Sequence, residues 1–466
     1  MMDGLEFREV LRSELEFTGR LDAEYYQRIY LEYEKLVEKC INDKLENKAD
    51  FLIGPFGSAY DTRNYTEIPK YRYVRGQDVK PFDLKDTEPR YMTRADYMCL
   101  QKYALKPKDI LVSVVGTLGN ACIVKSGDIP AIFSCKSTVI RAKGVNPYYL
   151  ITYLNCRYGR ALLLRKERGT IQKGLNLDDL KLLEIPLFSD KLEKIIENVL
   201  LHVEEQRAGS KRLYSEAEKI LEQELGADRY IEPKEVYSVK KFSEVFGTLD
   251  RMDAEYYQEK YDVLEEILFS YDADCKMLGN VAEYIFTGEY AEEYYSKSDK
   301  TKYFIRGTDI KNGYVEADND YCIYPEQYTK FVKKGDIITG RVGTIGNFGI
   351  IDEELDNSLC SDNILCFRLP EKYIPEVYAL YFNLPCVDEL IKRLARGSVQ
   401  QRLNQGTLRL IKIPYIDEDK QKELQGMVIQ SREKEMESRK LLDLAIQIVE
   451  TAIEKGEEAA LRLAEP

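Results

Sequence analysis

DILVSVVGTLGNACIV (109–124) recurs as DIITGRVGTIGNFGII (336–351), an offset of 227 residues. Each copy reads as a β-type apolar run, a glycine turn (GTLGN, 116–120, or GTIGN, 343–347) and a second β-type run. Glycine allows a left-handed backbone and close approach of a neighbouring chain, so a hairpin turn accounts for both blocks. They lack the G-x-G-x-x-G spacing and the lysine of a phosphate-binding loop, which argues against nucleotide binding here.

The repeat extends outward in both directions. RLDAEYYQ (20–27) returns as RMDAEYYQ (251–258), with seven of eight residues identical at an offset of 231. YVRGQDVK (73–80) returns as FIRGTDIK (304–311), RGTIQKGLN (168–176) as RGSVQQRLN (396–404), and EIP (184–186) as KIP (412–414). Several blocks in one order exclude coincidence. A period near 230 residues is far too long for a solenoid, so whole modules stand in tandem.

Each module opens on an acidic lead, continues through short β-type runs and turns to an Ile-Pro dipeptide, and ends in a long helical segment. In 190–225 the stripe is Leu192, Ile196, Val199, Val203, Leu213, Ala217 and Ile220, interrupted by Gln206 and Ser210. In 418–460 it is Leu424, Met427, Leu441, Ala445, Ile448 and Ala452. Narrow apolar seams with charged flanks read as coiled coil. At about 1.5 Å per residue, each helix is a rod of roughly 50 Å. The alternative is two amphipathic helices, each packed on its own domain. The expected fold class is α+β: two tandem β-rich domains, each followed by a long helix, the helices pairing as an antiparallel coiled-coil rod. The expected divisions are 1–187 (a domain with its acidic lead), 188–225 (helix), 226–415 (second domain with its lead) and 416–466 (second helix and tail).

Composition narrows the chemistry. The chain has 466 residues and a single histidine, His202, inside the first helical stripe, where it reads as a structural helix residue. Multi-histidine metal sites are thereby excluded, and a Ser-His-Asp triad would have to use that one residue. The ten cysteines include no C-x-x-C pair and read as reduced, mostly buried thiols. No apolar run reaches the roughly 18 residues of a membrane span, and the acidic start does not resemble a signal peptide, so a cytoplasmic location is expected.

The net charge is −13, which taken whole argues against nucleic acid. Its distribution reverses that inference. Residues 47–187 carry +9, whereas 1–46, 226–273 and 416–466 carry −5, −6 and −5. Basic residues bunch just before each Ile-Pro dipeptide. Arg157, Arg160, Arg165, Lys166, Arg168 and Lys173 form the first cluster, and Lys392, Arg393, Arg396, Arg402, Arg409 and Lys412 the second. Such clusters are the footprint of a phosphate backbone, or else solvated helix faces. NPYY (146–149) approximates the N/D-P-P-Y/F motif of adenine-methylating enzymes, with Tyr148 in place of the second proline. Its repeat equivalent is IPEV (374–377), and no glycine-rich cofactor loop lies nearby.

With these features the chain resembles the specificity (S) subunit of type I restriction–modification systems. The resemblance rests on GPFGSAY (54–60), YVRGQDV (73–79), KDILVSVVGTLGN (108–120), RGTIQKGLN (168–176) with EIPL (184–187), and the long helix after each module. It implies two target-recognition domains, each reading half of a bipartite double-stranded DNA target, separated by the helical rod. It implies a non-catalytic chain that binds no cofactor. S-adenosylmethionine, ATP and Mg would reside only on partners, namely two modification (methyltransferase) subunits and a restriction (motor-nuclease) subunit. The basic clusters would position phosphates. Arg63, Arg75, Lys136 and Arg141, with Arg306, Arg341 and Arg368 in the second copy, are candidates for base edges, since arginine binds guanine bidentately. Arg75 and Arg306 precede glycine at matched positions and read equally well as structural. The DAEYY blocks and helical faces are candidate partner-docking surfaces. The second copy departs in part: FTGEY (286–290) stands where GPFGS is expected. The competing readings are an adenine methyltransferase or a fragment of one, resting on NPYY, and a coiled-coil interaction scaffold.

Overall fold

The computed structural model describes residues 20–464 except 86, 170–172, 234–238, 242–244, 246–252, 273, 312, 344 and 396–401. The chain divides into two compact units, residues 1–206 with 436–466, and residues 207–435. Each long helix therefore contributes part of its length to each unit.

In the first unit a four-stranded antiparallel sheet has the order Ala49–Ile53, Ser137–Ala142, Ile110–Ser113, Ala121–Ile123. Successive side chains of a strand point to opposite faces, and here both faces are covered. Ile110, Val112 and Ile140 pack with Tyr149 and Leu154 of the helix Pro147–Asn155. Leu111, Cys122 and Val139 pack on the other side with Val74 and Phe133. Those two belong to a three-stranded sheet, Arg90–Met92, Tyr71–Val74, Ala131–Phe133, whose second pair is parallel. Burial on both faces explains why ILVS is an unbroken apolar run rather than an alternating one.

The second unit repeats this order. Tyr284–Thr287, Ile364–Arg368, Ile337–Gly340 and Phe348–Ile350 run in the same sequence of neighbours, extended by Gly313–Val315 and Ile310–Lys311 into six strands. In the first unit that extension is reduced to single bridges, Phe82 to Cys122 and Val79 to Leu84. The Ile-Pro dipeptides belong to short clasp strands. Asn42–Lys44 pairs with Glu184–Pro186, and Lys276–Met277 with Lys412–Ile413. The phenol of Tyr149 donates to the Pro186 carbonyl at 2.6 Å, and that of Tyr378 to the Pro414 carbonyl at 2.9 Å.

The helices run Asp190–Glu224 and Glu418–Lys455 and pair antiparallel in each unit. In the first unit Leu192, Ile196, Leu200 and Val203 meet Ala445, Ile448, Val449, Ala452 and Ile453. In the second, Ala217, Leu221 and Leu225 meet Leu424 and Val428. Leu200 and Leu221 are fully in the seam, whereas Val199 and Ile220 of the expected stripe are only half-buried at its edge. Ser210 is buried in the second unit, with its hydroxyl 3.1 Å from that of Ser431, which also lies 2.9 Å from the Ser210 carbonyl. Ser431→Ala removes both contacts and should cost about 1 kcal/mol in urea unfolding. An unchanged midpoint would contradict this account of the seam. His202 is exposed on the helix, 2.9 Å from the Gln206 amide. Five of the ten cysteines, at 122, 156, 322, 360 and 366, are buried, and all ten are free thiols. Among the described residues no helix is long and apolar enough to cross a membrane.

Candidate nucleic-acid interface

Matched arginines in the two units are committed to internal carboxylates. Arg165 has a 2% exposed side chain. It donates from Nε to the Tyr25 carbonyl at 2.8 Å and from Nη1 to Glu34 at 2.6 Å, with its guanidinium 4.1 Å over the Tyr25 ring. Arg393 does the same with the Tyr256 carbonyl at 2.7 Å, Glu265 at 3.0 Å and the Tyr256 ring at 4.4 Å. This clamp gives the DAEYY repeat a structural cause: it holds the short turns Ala23–Tyr26 and Ala254–Tyr257 against the helices Arg157–Arg165 and Pro385–Leu394.

Arg75 is bound to Asp78 at 2.7 Å and Arg306 to Asp309 at 2.9 Å, each closing a reciprocal cap with its aspartate. Arg141 meets the buried Asp109 at 2.9 Å, and Arg368 the buried Asp336 at 2.8 Å. Hydrogen bonds donated to Asp78 and Asp109 hold Arg75 and Arg141 above the ordinary arginine range. For Arg306 and Arg368 burial opposes the charge, and the bonds to Asp309 and Asp336 outweigh it. These residues pair in the same way in both copies, so their recurrence follows from folding rather than from reading a shared base. Sequence reasoning could not separate the two causes, because the aspartates lie 3 or 32 positions away and only the fold brings the distant ones together.

Others are drawn elsewhere. Arg157 pairs with Glu450 at 3.3 Å and with Glu454, on the second long helix. Arg160 donates to the Asn120 side chain at 3.2 Å, Lys392 meets Asp388 at 2.5 Å, and Lys166 lies 5.9 Å from the Tyr25 ring. Arg63 is exposed beside Asp61 at 2.5 Å. Arg409 is exposed, Lys412 meets Glu265 at 2.9 Å, and Arg396 lies outside the described residues.

What remains converges on one face of each domain. In the first, five loops are stitched together. A Cβ on Gly54 would sit 2.4 Å from the Ser134 carbonyl oxygen, and one on Gly76 would sit 2.8 Å from Cβ of Lys136. Val114 N donates to the Lys136 carbonyl at 2.9 Å, and Leu175 N to the Val114 carbonyl at 3.0 Å. Exposed Lys136 stands on this face, with Lys173 and Arg168 at its edge. Lys173 is paired with Glu167, and Arg168 with Asp179 at 2.7 Å, an ion pair that holds its charge firmly. In the second domain Arg341 N donates to the Asn363 carbonyl at 2.8 Å and Leu403 N to the Arg341 carbonyl at 3.0 Å, which gathers Arg341 and exposed Arg402. Arg341 donates from Nη1 to the Asp362 carbonyl at 2.8 Å, and its buried Nε has no hydrogen-bond partner. Asn363 stands where the first copy has Lys136. Glycine at the crossing points and cations on the turns suit an approach by a phosphate backbone.

Two sequence expectations change. Asn146 of NPYY caps the helix Pro147–Asn155: its Oδ1 accepts from Tyr148 N at 2.9 Å, and its Nδ2 donates to Glu197 at 3.1 Å. Tyr148 and Tyr149 are buried, so the motif is a helix start and the methyltransferase reading loses its one support. The second copy also retains the GPFGSAY layout that its letters conceal. Strand register places Gly288 where Gly54 stands, since Ile53 faces Thr138 and Thr287 faces Leu365. A Cβ on Gly288 would sit 2.1 Å from the Cys360 carbonyl oxygen. An offset of 234, rather than the 231 of the neighbouring blocks, would have revealed it.

Residues 272–425 match the family model of the type I restriction modification DNA specificity domain. No curated protein matches the chain. Among solved structures, the type I restriction-modification system S subunit from M. genitalium is 15% identical, with 89% of this chain and 95% of that chain covered and a TM-score of 0.43. The HsdS subunit from Thermoanaerobacter tengcongensis is 14% identical over 89% of this chain and 96% of that one, with a TM-score of 0.27.

Proposed function

We propose, for a chain whose residues 272–425 belong to the type I restriction modification DNA specificity domain family, that both units are target-recognition domains of one non-catalytic specificity subunit. The observation that carries this reading is the duplicated face: the loops that converge in the matched domain converge again in the first, on different side chains. Each face then reads one half of a bipartite double-stranded target. The two modification subunits supply S-adenosylmethionine chemistry at adenine, and a motor-nuclease subunit with ATP and Mg supplies cleavage. The paired helices serve as the spacer between half-sites.

In this reading Lys136, Arg168 and Lys173, with Arg341 and Arg402 in the second domain, position the phosphates. Lys136→Ala should lower affinity at every sequence and reduce the slope of log K against log salt by about 0.9, the share of one phosphate. A variant with the parental slope would remove Lys136 from the interface. The function itself is tested by mapping methylated adenines genome-wide in a host with and without this chain. One bipartite motif, methylated only when the chain is present, is the expected result. An identical methylation map in both strains would overturn it.

A further inference from the structure

The register that aligns Gly54 with Gly288 also aligns two exposed rings. Phe56 and Tyr290 each stand two residues after the glycine, and Tyr60 and Tyr294 six residues after it. The glycine is pinned against backbone in both domains. Tyr60 packs on the strand residue Tyr73 with ring centroids 4.7 Å apart, and Tyr294 on Phe304 at 5.2 Å. A loop held at both ends in this way leaves the ring between them no core to enter. Phe56 is 82% exposed and Tyr290 68%; among the described residues no other phenylalanine is exposed, and no other tyrosine is exposed as much.

A single exposed apolar residue needs no explanation. Two at one structural position of a diverged repeat do. The intervening residues share no pattern: Pro55, Gly57, Ser58 and Ala59 in one loop, and Glu289, Ala291, Glu292 and Glu293 in the other. One protein partner reading both loops would meet an uncharged surface in one and an acidic surface in the other, and a lone ring falls well short of the about 800 Å² per side of a stable protein interface. Inserting a ring at a base step makes no such demand, because a side chain wedged between partly unstacked base pairs needs only a duplex held by the face around it. Each loop also borders the convergent turns of its domain: Gly54 rests on Ser134, two residues before Lys136, and Glu289 bridges to Ser361, two residues before Asn363, whose carbonyl accepts from Arg341 N.

We infer that Phe56 and Tyr290 are the aromatic anchors of the two recognition faces, each stacking against bases of the half-site its own domain reads. This rests on the function proposed above and adds residues that act by stacking rather than by charge. The test measures affinity of the chain, assembled with its modification partners, for three duplexes over a salt series: the mapped bipartite site, and versions with the first or second half-site scrambled. Because the ring enters a base step only where its domain is docked on its own half-site, Phe56→Ala should weaken binding about tenfold wherever the half-site read by the first domain is intact, with the salt slope unchanged. It should have no effect where only the other half-site remains, and Tyr290→Ala should show the converse. Phe56→Tyr and Tyr290→Phe keep a ring and should bind as the parent. Both rings are exposed, so thermal midpoints should not move. Alanine variants that bind as the parent, ring-keeping variants as weak as alanine, or a changed salt slope would each overturn the inference. A parent complex that binds all three duplexes equally would instead overturn the recognition function on which it rests.

Discussion

Arg165→Ala should destabilise the first unit by about 3 kcal/mol, and Arg393→Ala the second by less, because Lys412 still neutralises its glutamate. The Arg165 side chain is 2% exposed and that of Arg393 8%, so neither charge is solvated when its partners are lost. Truncating Arg165 leaves Glu34 facing a vacated site and the Tyr25 carbonyl without its donor; truncating Arg393 leaves the Tyr256 carbonyl without its donor, while Glu265 keeps Lys412 at 2.9 Å. Removing one member of a buried pair is costlier than the pair's net worth, because the remaining charge stays uncompensated. The loss should appear locally, as faster amide exchange in Arg28–Glu38 for Arg165→Ala and in Glu259–Ser270 for Arg393→Ala. The two losses should add, since no partner is shared. Parental exchange rates together with weaker DNA binding would contradict this, and would return both residues to the phosphate contacts that the sequence suggested.

The second large effect is expected at the pinned glycines. Gly288→Val places a Cβ 2.1 Å from the Cys360 carbonyl oxygen and 2.3 Å from that of Ser361; for Gly54 the nearest atom is the Ser134 oxygen at 2.4 Å. All of these are backbone atoms, so no side chain can rotate away, and the loop itself must shift. Overpacking of this kind costs about 1–3 kcal/mol. The functional cost exceeds the stability cost, because the shifted loop carries the exposed ring and borders the cationic turn. Gly54→Val should therefore abolish methylation at the bipartite site while the unit stays folded. Gly57→Ala is the internal control: nothing lies within 4 Å of its Cβ, so methylation should persist. Equal methylation by Gly54→Val and Gly57→Ala would show that the loop does not contribute to recognition.

The duplication, the β-type runs, the closing Ile-Pro dipeptides and the helical seam were legible in the sequence because each follows from local period or verbatim repetition. The seam's details were less so: Leu200 and Leu221 enter it, and Ser210 is buried beside Ser431, since a 3-4 stripe fixes a face but not which of two adjacent apolar residues points inward. The site was legible mainly as charge. A basic cluster marks where cations are dense but not which are spent, and Arg165 and Arg393 are spent on carboxylates 131 and 128 residues earlier in the chain. Gly288 and Tyr290 went unseen because what repeats there is a steric requirement at an offset shifted by three residues, with little letter identity to reveal it.

The central claim is that each repeat reads its own half of one DNA target. Its most direct measurement is to replace residues 47–187 with the corresponding segment of a chain of different specificity, then map methylated adenines genome-wide. The expected motif has one half-site exchanged, with the other half-site and the spacing between them retained. An unchanged motif, or one altered in both halves, would contradict it.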